Sequence, residues 1–375
     1  MPSGGLAMAL TKLKNYIKQS DITNIGKIFT EDDVVGLSTQ KEIIQTKADL
    51  SGVNIASYKL FPPMSFAYVP DTSRRGDKIA LAFNKTTKTY LVSSIYTVFK
   101  VADIDKLNPW YLFMYFNRPE FDRYARFCSW GSARETFDWE EMCDIDIELP
   151  ALDVQQKYVD IYQSMVANQQ SYERGLEDLK LVCDGYIEDL RRNMPCQKIG
   201  NYIERHDIRN GKNGTKNVMG ISISKVFRVP TSKVNREELA NYKVCRPREI
   251  AFVQTTHNEK VFAYAFNNTN ENIVVSSVNE VFSTNEKVLY PEYLCMFFNR
   301  TEFDRYARFN SWGSAREVFT WDDLINVKIP VPDIQVQKSI ADIYNVYITR
   351  KKINEQLKAQ IKNICPILIR GSLEE

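Results

Sequence analysis

Apolar positions along the chain follow two rhythms, and the order of those rhythms is written twice. Short β-branched and aromatic runs, FAYV at 66–69, LVSSIYTVF at 91–99 and IVVSSVNEVF at 273–282, are separated by clusters of Asn, Thr and Asp, which predicts strands joined by turns. Asn108-Pro109 and Tyr290-Pro291 then open helical stretches, because proline suits a first helical turn that has no use for its missing N–H. Pro119, where the second copy has Thr301, predicts another short helix. Each half is expected to be α+β.

A helical rhythm follows each half. Tyr162, Met165, Gln169, Tyr172, Leu176, Leu179, Cys183, Tyr186 and Leu190 form a heptad seam with one polar Gln. Its counterpart carries Ile340, Ile343, Val346, Ile353, Leu357, Ile361 and Ile364, interrupted by Arg350 and Lys351 and ended by Pro366. Seams this narrow want a helical partner, and each is the obvious partner of the other. A helix from about Gln155 to Asn193 would be roughly 57 Å long. The expected fold is two duplicated α+β domains separated by two long helices in an antiparallel coiled coil, with pseudo-twofold symmetry. The expected boundaries are 1–153, 154–195, 196–333 and 334–375.

The repeat behind this symmetry is explicit. EFDRYARFCSWGSARETFDW at 120–139 returns as EFDRYARFNSWGSAREVFTW at 302–321, with three changes in twenty positions. NYI at 15 and 201, VVGLS at 34 and VMGIS at 218, and YKLFPPMSFAYV at 58 and YKVCRPREIAFV at 242 are further pairs. An offset of 182 to 186 residues, present only twice, indicates two domains of one fold rather than a solenoid.

Composition adds mostly exclusions. Lys and Arg number 49 against 47 Asp and Glu, a net charge of +2 that neither demands nor excludes nucleic acid. Seven cysteines without a C-x-x-C pair read as reduced thiols. Neither a signal peptide nor an apolar run of eighteen residues is present, so a soluble, cytoplasmic protein is expected. No phosphate loop, dinucleotide cradle or nucleophile elbow occurs, and the S-x-x-K match at Ser222–Lys225 lacks the other motifs of its enzyme class. Two histidines, His206 and His257, offer no metal cluster. Tyr124, Phe127, Trp130, Phe137 and Trp139 read as core and packing groups rather than as a base-stacking platform. Arg134 and Arg316, each following a Gly-Ser-Ala turn, either present a guanidinium to a phosphate or anchor their loops internally.

Taken together, YKVCRPREIAFV at 242, VVSSVNEVF at 274, the W-G-S-A-R turn and WDDLINVKIPVPDIQVQKSIADIY at 321 resemble the specificity subunits of type I restriction-modification systems. The first copy of the last stretch, WEEMCDIDIELPALDVQQKYVDIY at 139, matches less closely around its prolines. The resemblance spans nearly the whole chain. It implies a noncatalytic subunit whose two target-recognition domains each read half of a split double-stranded DNA sequence, with the helices fixing the gap. It also implies two methyltransferase subunits that bring S-adenosylmethionine and modify adenine, and restriction subunits that use ATP and magnesium. No cofactor is expected in this chain, and no membrane. A duplicated coiled-coil adaptor for proteins and the specificity subunit of a related methylation-based phage-defence system are the alternatives.

If the two copies read different half-sites, segments that agree are expected to be scaffold or shared partner surface and segments that differ to be readers. The clearest divergence is PDTSRRGDK at 70–78 against QTTHNEK at 254–260. Arg74, Arg75 and Lys78 in the first, and Thr255, His257, Asn258 and Lys260 in the second, carry groups that pair with base edges. A second zone places Gln40 and Lys41 in one copy opposite Lys225 in the other. Arg205, Arg209 and Lys212, with Lys216 beside them, form a basic run suited to phosphates.

Overall fold

The computed structural model describes residues 10–46, 48–73, 78–132, 134–212, 214–230, 234, 239–255, 261–313 and 316–375. By packing, the chain divides into one unit of Met1–Ser171 with Asn354–Glu375 and a second of Tyr172–Ile353.

In the first unit, strands β1 (Ile17–Ser20), β2 (Ser65–Tyr68), β3 (Leu81–Phe83) and β4 (Thr97–Val101) form an antiparallel sheet in the order β1-β4-β2-β3. The register sets Ile17 opposite Val101, and Phe66 between Phe99 and Phe83. That places three phenylalanines in one row, with ring centroids 4.7 and 5.1 Å apart on either side of Phe66. Helices α1 (Pro109–Phe116) and α2 (Pro119–Phe127) cover this row, Phe116 meeting Phe66 edge-on. Each fully buried ring contributes about 1.5–3 kcal/mol. The prolines start both helices as expected, and the Asn108 side chain caps the first by accepting from the Trp110 N–H.

A long helix, α3 (Leu152–Asn193), leaves this domain. The second unit repeats the plan with β5 (Ile203–His206), β6 (Ile250–Phe252), β7 (Tyr264–Phe266) and β8 (Glu280–Thr284) in the order β5-β8-β6-β7, covered by α4 (Pro291–Phe298) and α5 (Thr301–Phe309). The final helix, α6, runs Ile334–Glu374. With 42 and 41 residues, α3 and α6 are each about 62 Å long.

Polar plugs make the duplication visible at atomic level. Asn84 donates to the carbonyls of Phe61 and Lys88 and accepts from Thr86; Asn267 does the same with Cys245, Glu271 and Thr269. At the root of each long helix a buried glutamine ties helix to domain. Gln155 donates to Lys106 and Pro150 and accepts from the Asn108 N–H, while Gln337 donates to Val288 and Pro332 and accepts from Tyr290. A buried amide with every hydrogen bond made adds rigidity without an unpaired polar cost.

Within each unit, half of α3 lies antiparallel to half of α6. In the first, Tyr158 meets Gly371 and Gln169 bonds Asn354 at 2.9 Å; in the second, Cys183, Ile187 and Leu190 share a core with Tyr347, Tyr344, Ile343 and Ile340. The expected seam needs two corrections. Ile187 is buried and Tyr186 exposed, and Tyr347 packs inward where Val346 stays outside, because the true stripe drifts by one position. Nor does Pro366 end its helix, which continues to Glu374. Cys365, Leu368 and Ile369 lie in the first unit's core and Ser372 bonds the Tyr111 hydroxyl at 2.7 Å, packing that outweighs the ~3 kcal/mol an interior proline costs. All seven cysteines are free thiols.

Candidate nucleic-acid interface

The repeated W-G-S-A-R turn has the same construction in both units. Trp130 and Thr136 exchange backbone hydrogen bonds of 3.1 and 2.9 Å, as Trp312 and Val318 do at 3.2 and 2.9 Å. Gly131 at φ +141° and Gly313 at φ +136° make the reversal; a Cβ on either would sit 2.0 or 2.2 Å from the carbonyl oxygen of Arg134 or Arg316. Only glycine fits. Ion pairs Arg126–Glu135 and Arg308–Glu317 brace the turn from its helix side.

Onto this shared turn each unit grafts its divergent loop. Asp71 pairs with Thr136 in an antiparallel bridge, Thr72 N–H donates to Glu135 and Phe137 N–H to Pro70, both at 2.9 Å. In the second unit Thr255 pairs with Val318 and Phe319 N–H donates to Gln254 at 2.8 Å. Thr255 is therefore part of the loop's stem. The far end of the loop is held too: Ile79 N–H donates to the Asp122 carboxylate at 3.2 Å, and Phe262 N–H to Asp304 at 3.0 Å. Lys78 is exposed at that end. Arg74, Arg75, His257, Asn258 and Lys260 lie outside the described residues.

Two candidates must be reassigned. Lys41 and Lys225 are not surface readers: their side chains are 4% and 7% exposed and ion-paired to Asp122 and Asp304. Lys41 also donates to the Ile79 carbonyl at 2.9 Å and Lys225 to Phe298 at 2.6 Å. Burial pushes both lysines below their ordinary value, and the facing carboxylate opposes that shift. Each sits at positive φ, +63° and +62°, at the reversal of a small hairpin, so one aspartate clamps hairpin, loop end and helix together. Identity of the two lysines in the repeat was the available signal, since agreement between copies marks scaffold. Gln40, one residue before the clamp, is exposed.

The basic run also divides. Arg205 forms a fork with the buried Glu280 at 2.8 and 2.7 Å, and Lys243 and Gln254 reach the same carboxylate at 3.2 and 2.6 Å. Arg209 is paired with Asp207 and the Asn241 carbonyl. These arginines hold structure, with their charge neutralised. Lys212 and Lys216 are exposed and pair with no carboxylate among the described residues. Arg134 and Arg316 are likewise exposed without an ion pair there.

One further group was not legible in the sequence. Phe127 and Trp130 are 77% and 64% exposed, and Phe309 and Trp312 82% and 72%. The expectation of core packing holds for Phe137, which is buried, and for Tyr124 and Trp139, which pack on the core. It fails for Phe127 and Trp130, which stand at the last residue of α2 and at the entry to the turn, outside the helix's buried stripe of Phe121 and Ala125.

Among the described residues, no group of His, Cys, Asp or Glu could hold a metal ion, and no helix is long and apolar enough to cross a membrane. Residues 200–363 match the family model described as the type I restriction modification DNA specificity domain. No curated relative matches the sequence. Among solved structures, the type I restriction-modification S subunit from M. genitalium superposes with a TM-score of 0.58 at 9% identity, covering 100% of this chain and 96% of its own. A chain from a study of type I R-M complex assembly and conformational transition gives 0.49 at 12% identity, covering 98% and 99%. The HsdS subunit from Thermoanaerobacter tengcongensis gives 0.40 at 13%, covering 100% and 99%. The specificity-domain match thus lies in the second half, the first half repeats its sequence, and the chain shares its fold with the M. genitalium subunit.

Proposed function

We propose that this subunit is noncatalytic and cytoplasmic, that it grips a split duplex site with one half-site on each unit, and that it seats a methyltransferase subunit over each half. The observation that carries this reading is the graft: loops of divergent sequence stand on a W-G-S-A-R turn, a Lys-Asp clamp and a sheet topology common to both units. Such a design varies what is read while preserving how the reader is held. The paired long helices supply the spacer. Their outward faces expose Ile161, Leu181, Val182, Val346 and Ile348, apolar positions that suit helices of a partner. S-adenosylmethionine, ATP and magnesium belong to the methyltransferase and restriction subunits. The near-neutral charge accords with partners that share the phosphate contacts.

The test is to sequence adenine methylation in a host that carries the methyltransferase subunit, with and without this gene. Methylated adenines in one interrupted motif should appear only with the gene; an identical methylome in both hosts refutes the proposal.

A further inference from the structure

Phe127, Trp130, Phe309 and Trp312 are apolar, exposed and duplicated, and among the described residues their rings stack on no other ring. Bridge partners in antiparallel ladders project side chains to the same face. Trp130, Thr136 and Asp71 form such a row in the first unit, as do Trp312, Val318 and Thr255 in the second. Each tryptophan therefore stands two ladder steps, about 10 Å, from the stem of a divergent loop. That span is less than the ~12 Å width of a major groove. A duplex seated on the loop stem is therefore within reach of the tryptophan.

The loops differ between units, yet this aromatic-arginine group does not. Its occupant must look the same at both half-sites. A duplex has such a feature in its sugar-phosphate backbone, which is the same at every sequence.

We infer that Trp130 with Arg134, and Trp312 with Arg316, are sequence-independent DNA anchors that hold each half-site against its reading loop. The inference rests on the proposed DNA-binding role. Phe127 and Phe309, three residues before the tryptophans, are exposed as well. The arginine supplies a phosphate contact, and the glycine turn keeps both groups at a fixed distance from the loop.

The experiment uses the full modification complex, this chain with its methyltransferase subunits, and a random-sequence duplex pool of about 40 base pairs. Trp130→Ala and Trp312→Ala should each weaken binding about five- to tenfold while the selected half-sites stay unchanged. Arg134→Gln should lower the salt dependence of log K by about one. Because the tryptophans are exposed, the thermal transition should not move, and Trp130→Tyr should recover most of the binding. Unchanged affinity in the alanine variants overturns the inference, and so does an altered half-site, which would make these residues readers. Weaker assembly with the methyltransferase subunits in the absence of DNA also overturns it, by giving the surface to a protein. A wild-type complex that selects no sequence at all overturns the DNA-binding reading itself.

Discussion

The two units share a sheet, a turn and a clamp, but differ in what they mount on them. At the first unit's Thr97 the second has Glu280, and at Gln19 it has Arg205, so one sheet carries a buried acid-base network where the other has a hydroxyl and an amide. Met64 in the first unit corresponds to Arg248 in the second, both at positive φ, and Arg248 forks onto Glu286 and Glu292. Backbone geometry has thus been retained while side-chain chemistry drifted. The drift is greatest in the loops and the strand edges next to them, and absent from the Trp-Gly-Ser-Ala-Arg-Glu stretch of the turn that holds the loops. Gln254 joins these levels in the second unit, since it lies in the loop stem and donates to Glu280.

The largest expected effect comes from exchanging the mounted parts. Replacing residues 70–78 by 254–260 should give a chain whose two units select the same half-site, because each well-made base contact discriminates by ~1–3 kcal/mol and several act together. The readout is pool selection with the modification complex; retention of the original first half-site would show that reading lies elsewhere.

Breaking the shared clamp comes next. Asp122→Ala or Asp304→Ala leaves a buried ammonium without its partner, at an expected cost of about 3–5 kcal/mol in the unit concerned. Urea unfolding monitored by hydrogen exchange in each unit checks this. Its pH dependence has a definite sign. Burial holds Lys41 below its ordinary value of 10.5, so between the native value and 10.5 the unfolded chain binds more protons and stability rises with pH. Without Asp122 that window extends to lower pH and the rise steepens. A fall in stability over the same range would contradict the assignment.

A smaller effect sharpens the contrast between units. Glu280→Gln keeps a hydrogen-bonding group but removes the charge facing Arg205 and Lys243, and should cost about 1.5–3 kcal/mol. Thr97→Val at the equivalent place in the first unit should cost about 1 kcal/mol or less. Equal losses would mean that the network adds nothing to the sheet.

Much of this organisation was legible because repetition supplied a comparison within one chain. Pro109, Pro119 and Pro291 marked helix starts that the structure keeps, since proline at the first turn is a local effect independent of the rest of the fold. Lys41 was misread because a lysine in a polar hairpin looks solvated until the aspartate 81 residues away is brought to it. Phe127 and Trp130 were misread for the opposite reason: aromatic spacing suggests a core, and only the path of the chain after α2 shows otherwise. Pro366 reads as a stop in the sequence because the packing around Cys365 and Leu368 is contributed from distant parts of the chain.

In the proposed function, the paired helices fix the separation between two half-site readers. Inserting seven residues between 171 and 172 and another seven between 353 and 354 keeps the heptad phase while lengthening each helix by about 10 Å, close to three base pairs. Methylome sequencing should then return both half-sites unchanged with a gap longer by about three base pairs. The original gap, methylated as before, would contradict the account.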